Sequence, residues 1–226
     1  MGRMLLRDDS LFARLRLHVG WIAIGLFSAV PTFAEEPVLL ADPAPPLFQH
    51  WTHQRFVGAT EYEATTLDGV ASIRAIGRNS ASGLYREVGY RITDHPWLEW
   101  SWRVERLQRT ADIREKGRED FGAAIFLIFG RPSILNKDVP TLAYVWTSDR
   151  LAQGTIVDSA HHPGMVRYIF ARSGQTSIGQ WVSERRNVVD DFRQAFGREP
   201  PQLVQVVACS RTTTKRASPS RPITVQ

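Results

Sequence analysis

Along most of the chain, apolar and polar residues alternate with a period of two, the mark of strands that bury one face. The clearest stretch is 97–104, Trp-Leu-Glu-Trp-Ser-Trp-Arg-Val. Leu98, Trp100, Trp102 and Val104 share one parity, and Trp97, Glu99, Ser101 and Arg103 the other. Successive Cβ atoms of a strand project to opposite faces, so the first set is expected in a core and the second at a surface. Residues 70–76, 84–92, 142–146, 165–171 and 203–208 follow the same rule. Residues 121–129, Phe-Gly-Ala-Ala-Ile-Phe-Leu-Ile-Phe, are apolar at both parities, which predicts a central strand covered on both sides.

Turn chemistry separates these runs: Asp68-Gly69, Asn79-Ser80, His95-Pro96, Gly130 to Pro132, His162-Pro163-Gly164 and Ser173-Gly174. One helix is predicted. Asn187 can cap it, with Asp190 three residues on as a variant of the capping box. Val188, Val189, Phe192, Ala195 and Phe196 then fall on one helical face, Gly197 ends it, and Pro200-Pro201 prevent continuation. Many short strands, Gly/Pro turns and one short helix near the C-terminus predict a mainly β fold, an antiparallel, jelly-roll-like β-sandwich.

Charge changes the picture only once it is located. The chain of 226 residues has a formal charge of +5 and a pI near 9.8. Residues 1–34 carry a net +2 and residues 211–226 a net +4, so residues 35–210 carry a net −1. The folded body is neutral, and a nucleic-acid partner loses its support. At the N-terminus, basic residues up to His18 precede an apolar run from Val19 to Val30 and the small residue Ala34. That is the layout of a secretory signal peptide cut after Ala34. Twelve residues rise only ~18 Å as a helix, short of a ~30 Å hydrocarbon core. The expectation is a periplasmic or secreted bacterial protein; the alternative is an uncleaved signal segment anchoring it in the inner membrane. The organisation expected is signal peptide 1–34, Pro-rich leader 35–47, sandwich 48–208 and a basic, disordered tail 209–226.

Candidate chemistry is sparse. Trp97 shares its face with Glu99 and Arg103, an aromatic platform with polar flanks on which a sugar ring could stack. Glu119-Asp120 precede the central strand, and Asp190-Asp191 lie on the helix. Neighbouring acids on a strand point to opposite faces, so neither pair is a dyad of facing carboxylates ~5–9.5 Å apart. Structural use is expected instead, as a turn lock or a salt bridge to Arg118 or Arg185. His161-His162 precede a proline without ligand spacing, and His50 and His53 sit in a segment that reads as extended. The one cysteine, Cys209, excludes a disulfide framework. No metal site or cofactor motif is found.

Several strings together resemble the bacterial family called domain of unknown function 3047. They are Ser80-Ala-Ser-Gly-Leu-Tyr-Arg-Glu-Val, Pro96-Trp-Leu-Glu-Trp-Ser-Trp-Arg-Val, Lys116-Gly-Arg-Glu-Asp-Phe, Leu142-Ala-Tyr-Val-Trp and Trp181-Val-Ser-Glu-Arg-Arg-Asn-Val-Val-Asp-Asp-Phe, followed by Phe196-Gly197 and Pro200-Pro201. The resemblance covers about 48–208 and implies an exported, single-domain, β-rich protein without an assigned activity. It also implies an acidic turn and a last aromatic strand after 203–208, where this chain has the basic segment 211–226. A single-base frame shift near Cys209 to Arg211 is the expected cause.

Taken together, the sequence predicts an exported, non-catalytic ligand-binding envelope module. A glycan is the expected partner, and the candidate binding residues are Trp97, Glu99, Arg103, Glu119 and Asp120. The alternatives are a glycan-active hydrolase or lyase using dispersed carboxylates such as Glu119 or Asp120 with a histidine, and a structural module that meets a protein partner at a sheet edge.

Overall fold

The computed structural model describes residues 40, 43, 45–109, 111–131, 139–212 and 223–225, with 206–212 and 223–225 described by their backbone. Two sheets make up the body. The elements run α1 (Leu47–His50), β1 (Thr52–Val57), β2 (Glu61–Leu67), β3 (Val70–Ile76), β4 (Ala81–Arg91), β5 (Trp97–Val104), β6 (Ala123–Ile128), β7 (Thr141–Thr147), β8 (Ile156–Asp158), β9 (Val166–Ser173), β10 (Val182–Asn187), α2 (Val188–Phe196), β11 (Leu203–Thr212) and β12 (Ile223–Val225). The larger sheet has seven strands in the order β1-β4-β11-β6-β7-β9-β8, the smaller five in the order β10-β5-β12-β3-β2.

The alternation in β5 holds residue by residue: Leu98, Trp100, Trp102 and Val104 are buried, while Trp97 and Glu99 are exposed. The inward set meets the larger sheet directly. Trp100 lies 5.0 Å from Tyr144 and Trp102 5.8 Å from Trp146, ring centre to ring centre, and the two β5 indoles meet edge to face at 5.4 Å. One apolar core joins these residues to Leu127, Leu142, Ile169 and Phe192. Face-to-face packing of two sheets around this core makes the fold a β-sandwich.

β6 is covered on both sides, as its two apolar parities predict. Ala123, Ile125 and Leu127 join the core between the sheets. Ala124 and Phe126 belong to a second cluster on the outer face, with Val145, Tyr168 and Phe170 from β7 and β9. Residues 105–121 supply Ile113 and Phe121 as the cover over that face. The covering segment is closed at its base, because a Cβ on Gly122 would lie 2.3 Å from Leu107 Cδ2. A side chain at 122 would force Leu107 to shift, with Val104 Cγ1 at 3.1 Å and the Trp146 carbonyl at 3.2 Å also close.

The helix α2 begins and ends where the sequence predicts. The Asn187 side chain accepts the N–H groups of Val189 and Asp190 at 3.1 and 3.2 Å. Gly197 adopts a left-handed conformation (φ 66°) and returns its N–H to Arg193 O. Val188 and Phe192 are fully buried, and Phe192 packs at 4.7 Å on Phe129.

Several features differ from the sequence expectation. One strand pair, β7 with β9, is parallel. A one-turn helix, α1, precedes β1. Strands β1, β2, β8 and β10 go beyond the predicted set because their apolar alternation is weak. β1 is an edge strand with almost every side chain exposed, and β10 turns Glu184 and Arg186 inward rather than apolar residues. Residues 209–212, assigned above to the tail, continue β11 opposite Leu84 to Ala81 of the long strand β4. Residues 223–225 pair with both β3 and β5. The signal segment 1–34, tail residues 213–222 and the Cys209 side chain lie outside the described residues.

Candidate functional site

The outward side chains of β5 and its neighbour β10 form an aromatic and charged patch. Antiparallel pairing sets Arg185 opposite Glu99 and Asn187 opposite Trp97. Trp97 is 47 % exposed, one of the few large apolar side chains at the surface. The Arg185 guanidinium lies over its ring, 3.8 Å from the centroid, and Arg185 Nε donates to Glu99 Oε1 at 2.7 Å. The cation on the ring face and the carboxylate behind it hold the indole in one orientation. Two positions along, the hydroxyls of Ser101 and Ser183 are 2.9 Å apart. Arg103 lies on the same outer face, engaged by Asp68 and Glu105 at 2.7 and 2.6 Å.

Glu119 and Asp120 are on the opposite side of the sandwich, at the end of the segment that covers the seven-stranded sheet. Both are buried rather than presented to a ligand. Glu119 Oε1 accepts the Ser159 hydroxyl at 2.7 Å, and Ser159 Oγ in turn accepts the N–H groups of His161 and His162. His161 Nε2 is 2.9 Å from the Lys116 carbonyl, which can only accept, so this nitrogen carries the proton. Glu119 Oε2 is 3.1 Å from the same nitrogen. The Tyr168 phenol completes the cluster; burial, then its hydrogen bond to Glu119 and that carboxylate's charge, push its pKa up and keep it a neutral donor. The cluster ties the covering segment to the turn after β8.

The remaining buried acids are tied to arginines between the sheets. Glu184 Oε1 accepts Arg172 Nε at 2.6 Å and the Trp102 indole at 3.3 Å. Asp191 takes both arms of Arg186 and the Tyr144 hydroxyl, the latter at 2.8 Å. Burial, followed by the Asp191 charge, pushes the Tyr144 phenol up. The salt-bridge expectation is corrected here: Asp191 pairs with Arg186, not Arg185. In β10 the even residues turn inward and the odd ones outward, which sends Arg185 to Glu99 and Trp97 instead. Arg118 pairs with Glu115, and Glu119 engages Ser159.

The five predicted site residues therefore do not converge. Trp97 and Glu99 share a patch, Arg103 lies farther along the same face, and Glu119 and Asp120 are across the molecule. Arg185, absent from the predicted set, is the residue that joins Trp97 to Glu99; its outward position follows from parity once β10 is read as a strand.

A family described as a protein of unknown function, DUF3047, matches residues 49–219. The chain belongs to the DUF3047 family. The matched span of this DUF3047 chain includes both sheets up to β11 and runs past Arg211, where the basic segment begins. No curated protein matches the chain. Among solved structures, it is similar to a meso-active thermo-stable cellulase derived from the Cel12A cellulase of Rhodothermus marinus. That match has 12% identity over 78% of this chain and 95% of the other, with a TM-score of 0.40. It is also similar to the family 11 xylanase from Neocallimastix patriciarum, at 12% identity over 78% of this chain and 96% of the other, with a TM-score of 0.34. The sandwich assignment for this DUF3047 member rests on its own two sheets. Among the described residues, no helix is long and apolar enough to cross a membrane.

Proposed function

We propose that this protein is an exported, non-catalytic ligand-binding module of the cell envelope, with a carbohydrate as ligand and Trp97 as its stacking platform. One observation carries the reading: Trp97 is half-exposed on a sheet face rich in polar residues and is oriented by Arg185 and Glu99. An indole with fixed polar neighbours suits a ring that offers C–H groups on one side and hydroxyls at its edge. The arginines of this patch are each held by acids, Arg185 by Glu99, Arg103 by Asp68 and Glu105, and Arg74 by Glu63, which favours a saccharide without an anionic group. The test is glycan-array binding by the full chain beside its Trp97→Ala variant. Binding that the substitution removes supports the proposal, and an array without any binding ends it.

A glycan-active hydrolase is the second reading, and the contact of Glu119 with the half-exposed His161 is what favours it. Against it, Glu184 and Asp191 are held by arginines, and Glu119 by Ser159. Such sites need an acid and a second carboxylate facing each other across a cleft. Release of reducing ends from a glycan by the full chain, lost in Glu119→Gln, would transfer the assignment to this reading.

A further inference from the structure

The end of β1 carries an apolar feature of its own, on the other sheet from Trp97. Phe56 is 70% exposed and Val57 57%. Adjacent side chains of a regular strand point to opposite faces, yet here both reach solvent. A break in register is the cause. Arg55 pairs with Ser82 and Val57 with Ala81, so Phe56 is an extra residue with no counterpart on β4. Such a bulge bends the strand and re-aims its side chains. Gly58 then turns the chain toward β2 in the left-handed region, at φ 60°.

The tip is braced by buried hydroxyls. The Thr60 N–H donates to Ser82 Oγ at 2.9 Å, the Thr60 and Ser80 hydroxyls are 3.1 Å apart, and Ser80 Oγ accepts the Arg78 N–H at 3.2 Å. Thr60, Ser80 and Ser82 are all buried. These bonds set the β1–β2 turn against the β3–β4 turn, where a Cβ on Gly58 would lie 3.4 Å from Ser80 Cβ. Two exposed arginines flank the apolar pair, Arg55 before it and Arg78 in the facing turn. Among the described residues neither has an ion-pair partner, in contrast to Arg74, Arg103 and Arg185. Glu61 is the one acid within residues 52–61 and 76–81, so the tip carries a net positive charge.

We propose that this tip docks the protein on an anionic lipid surface, with Phe56 and Val57 entering the interface and Arg55 and Arg78 meeting the headgroup phosphates. Size argues for lipid. The two apolar side chains offer on the order of 200 Å², against ~800 Å² per partner in a stable protein interface. A bilayer interface takes up a small apolar group wherever it arrives, with an aromatic ring at the acyl boundary. Charge argues the same way. Guanidinium groups without a protein carboxylate are available for two-armed pairing with phosphate, and basic residues gain energy beside anionic lipid. The braced turn has little freedom to lose on docking. Because β1 is the edge of the seven-stranded sheet and Trp97 lies on the five-stranded one, this inference is independent of what Trp97 binds.

A fluorescent label on the full chain tests it. Cys209→Ser removes the one thiol, and Ala59→Cys beside the tip takes the environment-sensitive dye NBD. A twin protein carries the dye at Gly117→Cys, on the exposed end of the covering segment. The vesicles are phosphatidylcholine alone or an equal mixture with phosphatidylglycerol. The expected result is a blue shift at position 59 with the mixed vesicles, little with phosphatidylcholine alone, and none at position 117. Phe56→Ser with Val57→Ser and, separately, Arg55→Gln with Arg78→Gln should each raise the lipid concentration needed by at least ~10-fold. All four side chains are exposed, and an unchanged denaturant midpoint checks that the variants fold. The dye reports on position 59 itself, so adsorption through the apolar run from Val19 to Val30 does not imitate docking. No shift at position 59, equal shifts at both positions, an equal response to the two lipid mixtures, or a shift that either double substitution leaves intact would overturn the proposal. A shift that grows with protein concentration in the absence of vesicles would also overturn it, assigning the tip to contact between two copies.

Discussion

The outer face of the seven-stranded sheet is apolar and covered, whereas the outer face of the five-stranded sheet is polar and presents Trp97 to solvent. On the first, Ala124, Val145, Tyr168 and Phe170 are sealed beneath Ile113 and Phe121. On the second, Arg74 pairs with Glu63 between β3 and β2, Arg185 with Glu99 between β10 and β5, and Arg103 of β5 with Asp68 in the turn between β2 and β3. The contrast separates two uses of aromatic residues. Those on the covered face contribute to the stability of the domain. Trp97, half-exposed and touching a cation rather than a core, contributes little to it and is available for contact with something else.

Four substitutions can break or sharpen this contrast. The largest effect is expected for Phe170→Ala, which empties the second core and costs about 3–5 kcal/mol in denaturant unfolding. Trp97→Ala in the same measurement is expected to stay within about 0.5 kcal/mol. Equal losses at the two positions would erase the distinction between the faces. Next comes Glu119→Ala, which leaves the buried hydroxyls of Ser159 and Tyr168 without their acceptor at a cost of about 1–3 kcal/mol. Limited proteolysis should then cut within 105–121 sooner than in the parent, and an unchanged cleavage pattern would show that Glu119 does not secure the cover.

The smallest effect is pH-dependent. Asp112, at the base of the covering turn, is held down to a pKa of about 2, chiefly by its side-chain hydrogen bond with Arg114. A carboxylate depressed in the folded state binds fewer protons there than in the unfolded chain. Its contribution is complete above the ordinary carboxylate range and is lost as pH falls through about 2. Arg114 is more than half exposed, so solvent screens the pair. Asp112→Asn should therefore lower the melting temperature slightly at neutral pH and match the parent in strong acid. A difference that persists at the acid end would assign the role to packing.

How much of this was legible in the sequence depended on what each face packs against. In β5 every second residue meets the core, so parity alone separated Trp100 and Trp102 from Trp97. In β6 both parities are apolar because both faces are covered, and that too could be read directly. α2 was legible because Asn187 and Gly197 are local signals that need no tertiary context. β10 was not, since its inward residues, Glu184 and Arg186, are charged groups satisfied by Arg172 and Asp191 from elsewhere in the chain. The site was less legible than the fold for the same reason. The link between Trp97 and Glu99 runs through Arg185, and the partners of Glu119 lie 40 and more residues away, at Ser159 and His161. β12 was unexpected because three residues carry too little pattern to define a strand.

The close approach of Leu107 to Gly122 has a consequence for engineering. The covering segment leaves β5 of one sheet and enters β6 of the other, and its two ends lie close together at Leu107 and Gly122, so its length is set at its base and not by its tip. Residues 114–118 at the tip are exposed, and a side chain added at Gly117 would meet open space. Closing a longer loop over the same base costs free energy only with the logarithm of its length. A peptide tag or a small folded domain inserted at Gly117 would leave the strand register untouched, giving this fold a graft point on the face opposite Trp97.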